Sequence, residues 1–519
     1  MAGVSLWSGP APMVAPWDNF ILLDGGYRII LGQVPGTDFT NPIGPLAYEL
    51  VSLGMRVQAV PSLVALTYGD LMFLGVTAFL AWIVAWPRMR LVSALGFTIF
   101  IGLVVVAVRP LGYAADTTSY AMLYNRYGWV LYTILLVLVL LRPREDAGSR
   151  GDLVHGSILG VLIGLSFYCK ITYFLVGVGA VVVGLVLDTL PRRRGIGIGA
   201  VAGFLAVGMM FWLVFGIRVT GYLGDLATSV GAQGGQQRLS MLANSVFYTL
   251  PVTAFTILVL CVLAKTRTRN PDARPKLSLL SVSVAAAYVL GSSVLVSAGN
   301  AGEKTDLPAL VVIVLLLVGY QATTAPDQPA ARRSKPLLLG LIALVVVAVV
   351  PIASRDALSI ANSVSYHLSH PPRDGQLASE HLRDFTVPAN STWETAYRTA
   401  NQVPGMLNDG MALLRRHIQP TDTVAVVAMT NPFSFALSLP PARGVPLWWD
   451  VDISFDANTH LDAAQVFGSA RWVMIPRMVA GQGCCQATVQ AMLDLYDPYL
   501  STHYVESERT DSWLLLVRA

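Results

Sequence analysis

The sequence predicts a mainly α-helical fold: a polytopic membrane helix bundle of about ten spans, followed by a C-terminal extracytoplasmic α/β domain. Three observations predict it. Hydrophobic residues fill 54% of the 519 positions and charged residues only 13%, against about 25% charge in an ordinary soluble domain. Mean hydropathy is +0.58, and the apolar residues gather into separate runs near the ~20-residue length that crosses a bilayer. From residue 354 onward the composition turns soluble, with Pro, Asp, Ser and His. The net charge of +4 carries no nucleic-acid signal, because the basic residues lie in short loops between apolar runs. Four cysteines, two in apolar runs and two adjacent (Cys484, Cys485), give neither a disulfide framework nor a metal pair.

The elements follow in order. Residues 1–60 lack the basic region and apolar core of a cleavable signal peptide. They form an outer loop rich in aromatics, Gly and Pro that carries Asp18, Asp24, Asp38 and Glu49. The bundle occupies 61–353, with runs at 63–86, 92–108, 127–141, 153–169, 172–190, 196–217, 244–264, 277–297, 306–321 and 336–353. The long run from 153 to 190 divides at Cys169-Lys170, since a lysine is costly inside a span and cheap at a hairpin. Basic residues then alternate. Arg88/Arg90, Arg142/Arg144/Arg150, Arg192–Arg194, Lys265–Lys276 and Arg332–Lys335 fill one set of loops, which is therefore cytoplasmic. The other set, with residues 1–60 and everything after 354, faces outward.

In 354–519, β-branched and aromatic runs predict strands at Thr423–Met429, Trp472–Ile475, Thr502–Glu506 and Trp513–Val517. Helical patterns lie between, at Met406–Ile418 and Gln486–Leu495. No internal repeat is visible, which gives a transporter of inverted halves no support.

Polar residues gather on the outer face: the 18–49 acids, Tyr113, Asp116, Tyr120, the 124–129 run TyrAsnArgTyrGlyTrp, Lys170, Arg218, Asp225, Asn300, Glu303, Lys304 and Asp306. Carboxylates beside cations at a bilayer surface suit a polar reaction on a lipid-borne substrate. A carboxylate can take the proton of an acceptor hydroxyl, and an ammonium or guanidinium can neutralise a phosphate leaving group.

At the loop the chain resembles a known family. Asp18, Arg28, Gly32-Gln33-Val34-Pro35, Asp38-Phe39 and Pro42-Ile43-Gly44-Pro45 are similar to the recurring pattern of GT-C fold integral-membrane glycosyltransferases, nearest the dolichyl-phosphate-mannose protein mannosyltransferase-like group (glycosyltransferase family 39). The resemblance covers this loop, and the remaining spans in layout only. It implies transfer of a sugar from a polyprenyl-phosphate donor to a lipid, glycan or protein acceptor on the outer face, with Asp18 as catalytic acid/base. The candidate substrate-binding residues are Arg28 and Asp38 of this pattern, Tyr124, Asn125 and Arg126 of the outer-face polar run, and Lys170, which sits where related chains carry a hairpin lysine and is the candidate for the lipid phosphate. The family often sets a second acid directly after the first, where this chain has Asn19, so a divalent metal stays open and no other cofactor is implied. Members usually begin with a membrane helix ahead of the loop; the expectation here is a start further upstream, or an N-terminus translocated without that anchor.

Plain structural roles compete with each of these. Asp18 can cap a helix over Asn19–Ile30 and Asp38 can shape a turn. Arg28 can snorkel, Arg126 can belong to an aromatic belt, Lys170 can mark topology, and Asp70 can pair near a helix end. His367 and His370 lack a third ligand, and Asn390-Ser-Thr matches a glycosylation acceptor. Trp448-Trp449-Asp450 fits sugar stacking or packing of the domain onto the bundle. Two other functions remain beside the enzyme: a transporter or flippase for lipid-linked envelope sugars, and a non-enzymatic assembly partner.

Overall fold

The computed structural model describes residues 16–144, 148–232, 235–267, 278–300, 305–324, 335–369, 377–385, 403–477 and 485–519. Glu303, Lys304, His370, the Asn390 sequence and Cys484 lie outside them. Within the bundle come α1 (Pro16–Ile30), α2 (Leu46–Arg56), α3 (Val64–Ala85), α4 (Leu91–Val106), α5 (Leu123–Leu140), α6 (Gly148–Cys169), α7 (Ile171–Val186) and α8 (Arg194–Phe215). They are followed by α9 (Val219–Ala232), α10 (Gly235–Arg267), α11 (Leu279–Ala298), α12 (Val311–Thr324), α13 (Lys335–Ala348) and α14 (Val350–Ser369). Among the described residues, seven helical stretches are long and apolar enough to cross a membrane, and Leu91–Val106, Ile171–Val186 and Pro308–Tyr320 are shorter apolar helices. Every one of the ten apolar runs is helical.

Two expectations need correction. The segment expected as a loop before the first span is mostly helix, α1 and α2 joined by a turn-rich stretch. Burial explains this: Phe20, Leu22, Leu23, Tyr48 and Val51 are all within 2% of full burial, so tertiary packing overrides a Gly- and aromatic-rich sequence of modest helix propensity. The last helical stretch also does not stop at 353: helix continues through α14, so Leu337–Leu368 covers 32 residues, and within α14 Asp356 pairs with Arg109 at 2.8 Å.

Helix α5 is the axis of the bundle, with every residue from Tyr127 to Leu140 buried. Helices α6 and α8 pack through paired glycines four apart. A Cβ at Gly160 would lie 2.0 Å from the Ala200 carbonyl oxygen, and one at Gly203 2.3 Å from that of Ser157, the small-residue contact that brings membrane helices together. The expected division at Lys170 is real: α6 ends at Cys169, and Lys170 is the N-cap of α7 with extended backbone.

The segments placed on one face by basic-residue counting do meet there. Asn19 bonds the 119–120 loop, Asn41 bonds Asp225 of α9, Lys170 bonds Asn300, and Ser229 bonds Ile453 of the C-terminal region. That region adds α15 (Val403–His417), β1 (Val424–Val426), α16 (Phe433–Ala436), α17 (Ala463–Phe467), β2 (Trp472–Pro476), α18 (Cys485–His503), β3 (Tyr504–Arg509) and β4 (Trp513–Arg518). The sheet order is β1-β2-β4-β3, with β1 and β2 parallel and the other pairs antiparallel. All four expected strands and both expected helices are present.

Candidate active site

Two polar clusters lie along the α1–α2 segment, the first where it meets the C-terminal domain and the second where its connection packs on the bundle. The first is built on Asp18, in the opening turn of α1. Its carboxyl is half-buried. Loss of water, and then the negative charge of Asp450, push its pKa up from 3.8 to about 6. Burial, and then Asp452, raise Asp450 likewise to about 6. The loop that carries Asp450 is fixed: its N–H donates to Ser454 Oγ at 2.8 Å and its carbonyl accepts from Ile453 and Ser454. Burial, and then the charge of Asp18, push the Tyr48 hydroxyl well above the tyrosine range. That hydroxyl donates to Asn41 Oδ1 at 3.4 Å. The Asn41 N–H in turn donates to Asp225 Oδ2 at 2.7 Å, and burial raises Asp225 to about 7 despite this bond.

The second cluster centres on Lys170. Its Nζ donates to Asn125 Oδ1 at 3.2 Å and to Asn300 Oδ1, and lies 5.4 Å from the centroid of the Tyr124 ring. Tyr173 closes the group, donating to the Asn125 carbonyl at 3.0 Å and accepting from Asn300 Nδ2 at 3.2 Å. Lys170 also holds the N-cap position of α7, without a side-chain bond to that helix, and a helix N-terminus is where anions are favoured. The Pro-Ile-Gly-Pro turn is pressed against this corner: a Cβ at Gly44 would sit 2.1 Å from the Tyr168 carbonyl oxygen, so only glycine allows the approach.

The expected site residues thus separate. Tyr124, Asn125 and Lys170 come together. Arg126 is 2% exposed and turns into the bundle, donating to the Arg109 carbonyl at 2.6 Å and pairing with Asp356 at 3.3 Å. Arg28 is 1% exposed; it pairs with Asp24 at 2.8 Å and donates to the Ala442 carbonyl at 2.8 Å. Asp38 accepts the Val34 N–H at 2.9 Å and pairs with Arg443 at 2.7 Å. In this structure Arg28 and Asp38 fasten the C-terminal domain to the α1–α2 segment.

Sequence reading passes over Tyr48 and Asn41, which carry no motif, and leaves Asp225 and Asn300 on the outer face without a role. Asp450 is visible only as the acid after two tryptophans. Those tryptophans divide their work: Trp449 stacks edge-on with Phe455 and Tyr496 in the domain's own core, and Trp448 packs with the bundle-side cluster.

The residues do not fit a resident metal. Asn19, at the position of the family's second acid, spends Oδ1 on the Tyr120 N–H and Nδ2 on Ser119 Oγ. Among the described residues no group of three or more His, Cys, Asp or Glu is placed to hold a metal ion.

No protein-family model matches the sequence, and no curated protein matches it. Among solved structures the chain is similar to ArnT from Cupriavidus metallidurans bound to undecaprenyl phosphate, at 12% identity and TM-score 0.45, covering 99% of this chain and 95% of that one. It is similar to the apo state of that protein at 13% identity and TM-score 0.46, covering 100% and 96%. It is also similar to the oligosaccharyltransferase of Archaeoglobus fulgidus in complex with Zn and sulfate, at 10% identity and TM-score 0.38, covering 97% and 70%.

Proposed function

We propose that this chain is an integral-membrane glycosyltransferase that moves a sugar from a polyprenyl-phosphate donor to an acceptor on the outer face, with inversion. The observation that carries the reading is a raised carboxyl in α1 together with a lysine corner packed against the α1–α2 connection. Asp18 has its pKa lifted to about 6 beside Tyr48 and Asp450, and Lys170 sits in a nest of Asn125, Asn300 and Tyr124 at a helix N-terminus.

A carboxylate of pKa about 6 is ionised at neutral pH and is a stronger base than an ordinary Asp. Asp18 takes the proton of the acceptor hydroxyl as its oxygen bonds to the anomeric carbon. The bond from that carbon to the phosphate oxygen breaks on the opposite face. The electron pair leaves on the phosphate, whose charge Lys170 and the α7 N-terminus stabilise. No covalent glycosyl-enzyme forms, so a second nucleophilic carboxylate is not required. The positive-inside rule puts this face and the C-terminal domain outside the cytoplasm.

The test is transfer from radiolabelled polyprenyl-phosphate hexose in membranes containing the chain. The wild type is expected to transfer and Asp18→Asn not to. Counts at background with both would discard the enzyme in favour of a transport or assembly role, and equal transfer by both would remove Asp18 as the base.

A further inference from the structure

The end of the bundle away from the C-terminal domain carries a second concentration of charge. Helix α3 starts beside Pro61, whose carbonyl accepts from His381 of the C-terminal region at 2.6 Å. Its 22 residues then run about 33 Å to the far end. There the α3–α4, α5–α6 and α7–α8 connections are stitched into one platform. The Arg144 N–H donates to the Pro87 carbonyl at 2.9 Å. Arg142 pairs with Asp188 at 3.2 Å, and Arg193 pairs with Asp152 of α6 at 3.1 Å.

Part of this charge is spent on the fold. Arg88 donates to the Val84 and Leu141 carbonyls at 2.9 Å and to that of Leu138 at 3.3 Å, closing the C-terminal ends of α3 and α5. Arg192 donates to the Leu185 carbonyl of α7 at 3.0 Å. Arg90, Arg150 and Arg194 are different. All three are exposed, and none makes an ion pair among the described residues, where Asp152 and Asp188 are already engaged. They also stand where a helix gains nothing from them: Arg90 is the N-cap of α4, Arg150 lies in the first turn of α6, and Arg194 opens α8. The helix dipole opposes a cation at each of these positions. Trp86, 51% exposed and with its ring 5.2 Å from that of Trp82, marks the rim of the platform, and tryptophan collects where the headgroups of a bilayer begin.

We propose that this platform binds the phosphate headgroups of anionic phospholipids in the adjoining leaflet, through Arg90, Arg150 and Arg194. A guanidinium meets a phosphate oxygen pair with two parallel hydrogen bonds, and basic side chains at an anionic leaflet need no deep cavity to be attracted to it. A lipid fits better than a soluble polyanion because the cations sit at the ends of membrane-length helices, next to an exposed tryptophan. The division of labour among the arginines argues the same way: those that close helix ends are held by carbonyls, and the three outward ones are left to a partner outside the chain. This surface is independent of the transferase reading.

The full chain is reconstituted in phosphatidylcholine bilayers doped with spin-labelled phosphatidylglycerol or spin-labelled phosphatidylcholine, and EPR separates lipid held at the protein from free lipid. The wild type is expected to prefer phosphatidylglycerol by about fivefold or more, the worth of one such contact, and to lose the preference in 1 M salt, where the Debye length is about 3 Å. Arg90→Gln, Arg150→Gln and Arg194→Gln are each expected to reduce it, and the triple variant to abolish it. Arg56→Gln with Arg218→Gln, exposed cations outside the platform, is expected to leave it unchanged. The single variants decide the matter if the triple variant does not fold. No preference in the wild type, a preference that survives 1 M salt, full retention in the three single variants, or an equal loss in the Arg56/Arg218 control would each overturn the proposal. Capture of heparin by the detergent-solubilised chain without any lipid preference would give the platform to a soluble polyanion and overturn it too.

Discussion

The guanidinium of Arg28 donates to the carbonyl of Ala442 at 2.8 Å, joining residues 414 positions apart. The same group pairs with Asp24 and is 1% exposed. Losing one partner of a buried pair leaves an uncompensated charge, at a cost of about 3–5 kcal/mol. Arg28→Met is therefore expected to lower the thermal midpoint of the purified protein sharply, and Arg28→Met with Asp24→Leu to recover most of it. Equal midpoints for Arg28→Met and wild type would return Arg28 to a substrate role.

Asp18→Asn is expected to lower transfer by roughly 10²–10⁴-fold, with Asp24→Asn and Asp38→Asn costing less. In the wild type, kcat/KM should rise with pH through about 6 and then level, because the base must lose its proton. Asp450→Asn removes a neighbouring negative charge, so this limb should move to lower pH; a limb that stays in place would separate the two acids.

The same carboxyl should be visible in stability. Burial raises its folded pKa from 3.8 to about 6, so the folded state holds the proton more tightly than the unfolded chain. Its contribution is most favourable below the ordinary value and is lost as pH rises toward 6. Asp18→Asn is expected to melt above wild type at pH 8 and to converge with it near pH 4. A variant that melts lower at pH 8 would make Asp18 a structural residue.

Lys170→Met is expected to raise the donor KM by the equivalent of about 1–3 kcal/mol, the scale of a charge-assisted contact, with little loss of folded protein. Unchanged donor KM with a lower protein level would limit Lys170 to holding Asn125 and Asn300 in place.

Cysteines at the exposed positions Val230 and Val505 should react with an impermeant thiol reagent in intact cells, and cysteines at Arg150 and Arg194 should not. Labelling at Arg150 from outside would invert the topology and with it the face on which transfer is proposed.

Much of the architecture was legible because lipid and water sort residues strongly. Uninterrupted apolar runs found the ten apolar helices, and Lys170 marked a real break because a charge is too costly inside a span. The α1–α2 segment was misjudged because its helices draw stability from packing on each other, on α3 and under the C-terminal domain, which local propensity cannot reveal. At the site, Tyr124, Asn125 and Lys170 were legible as polar residues at helix ends on one face. Arg126, one position along the same helix start, could not be distinguished from them, because its direction depends on Asp356 in a distant helix. Asp450 was hidden for a similar reason, since its proximity to Asp18 exists only once the C-terminal domain docks.

The pairing of Arg109 with Asp306 at 2.7 Å and Asp356 at 2.8 Å has a consequence for how the final helix is seated. Arg355 and Asp356 are adjacent in α14, and Arg355 also reaches Asp306 at 2.7 Å. A slip of this helix by one turn, about 5.4 Å, would separate these charges in a medium that tolerates unpaired ions poorly. Neighbouring apolar side chains would accept such a slip with far less complaint. The charged pairs therefore act as a depth gauge, fixing the height of the last helix against Arg109 and Arg126.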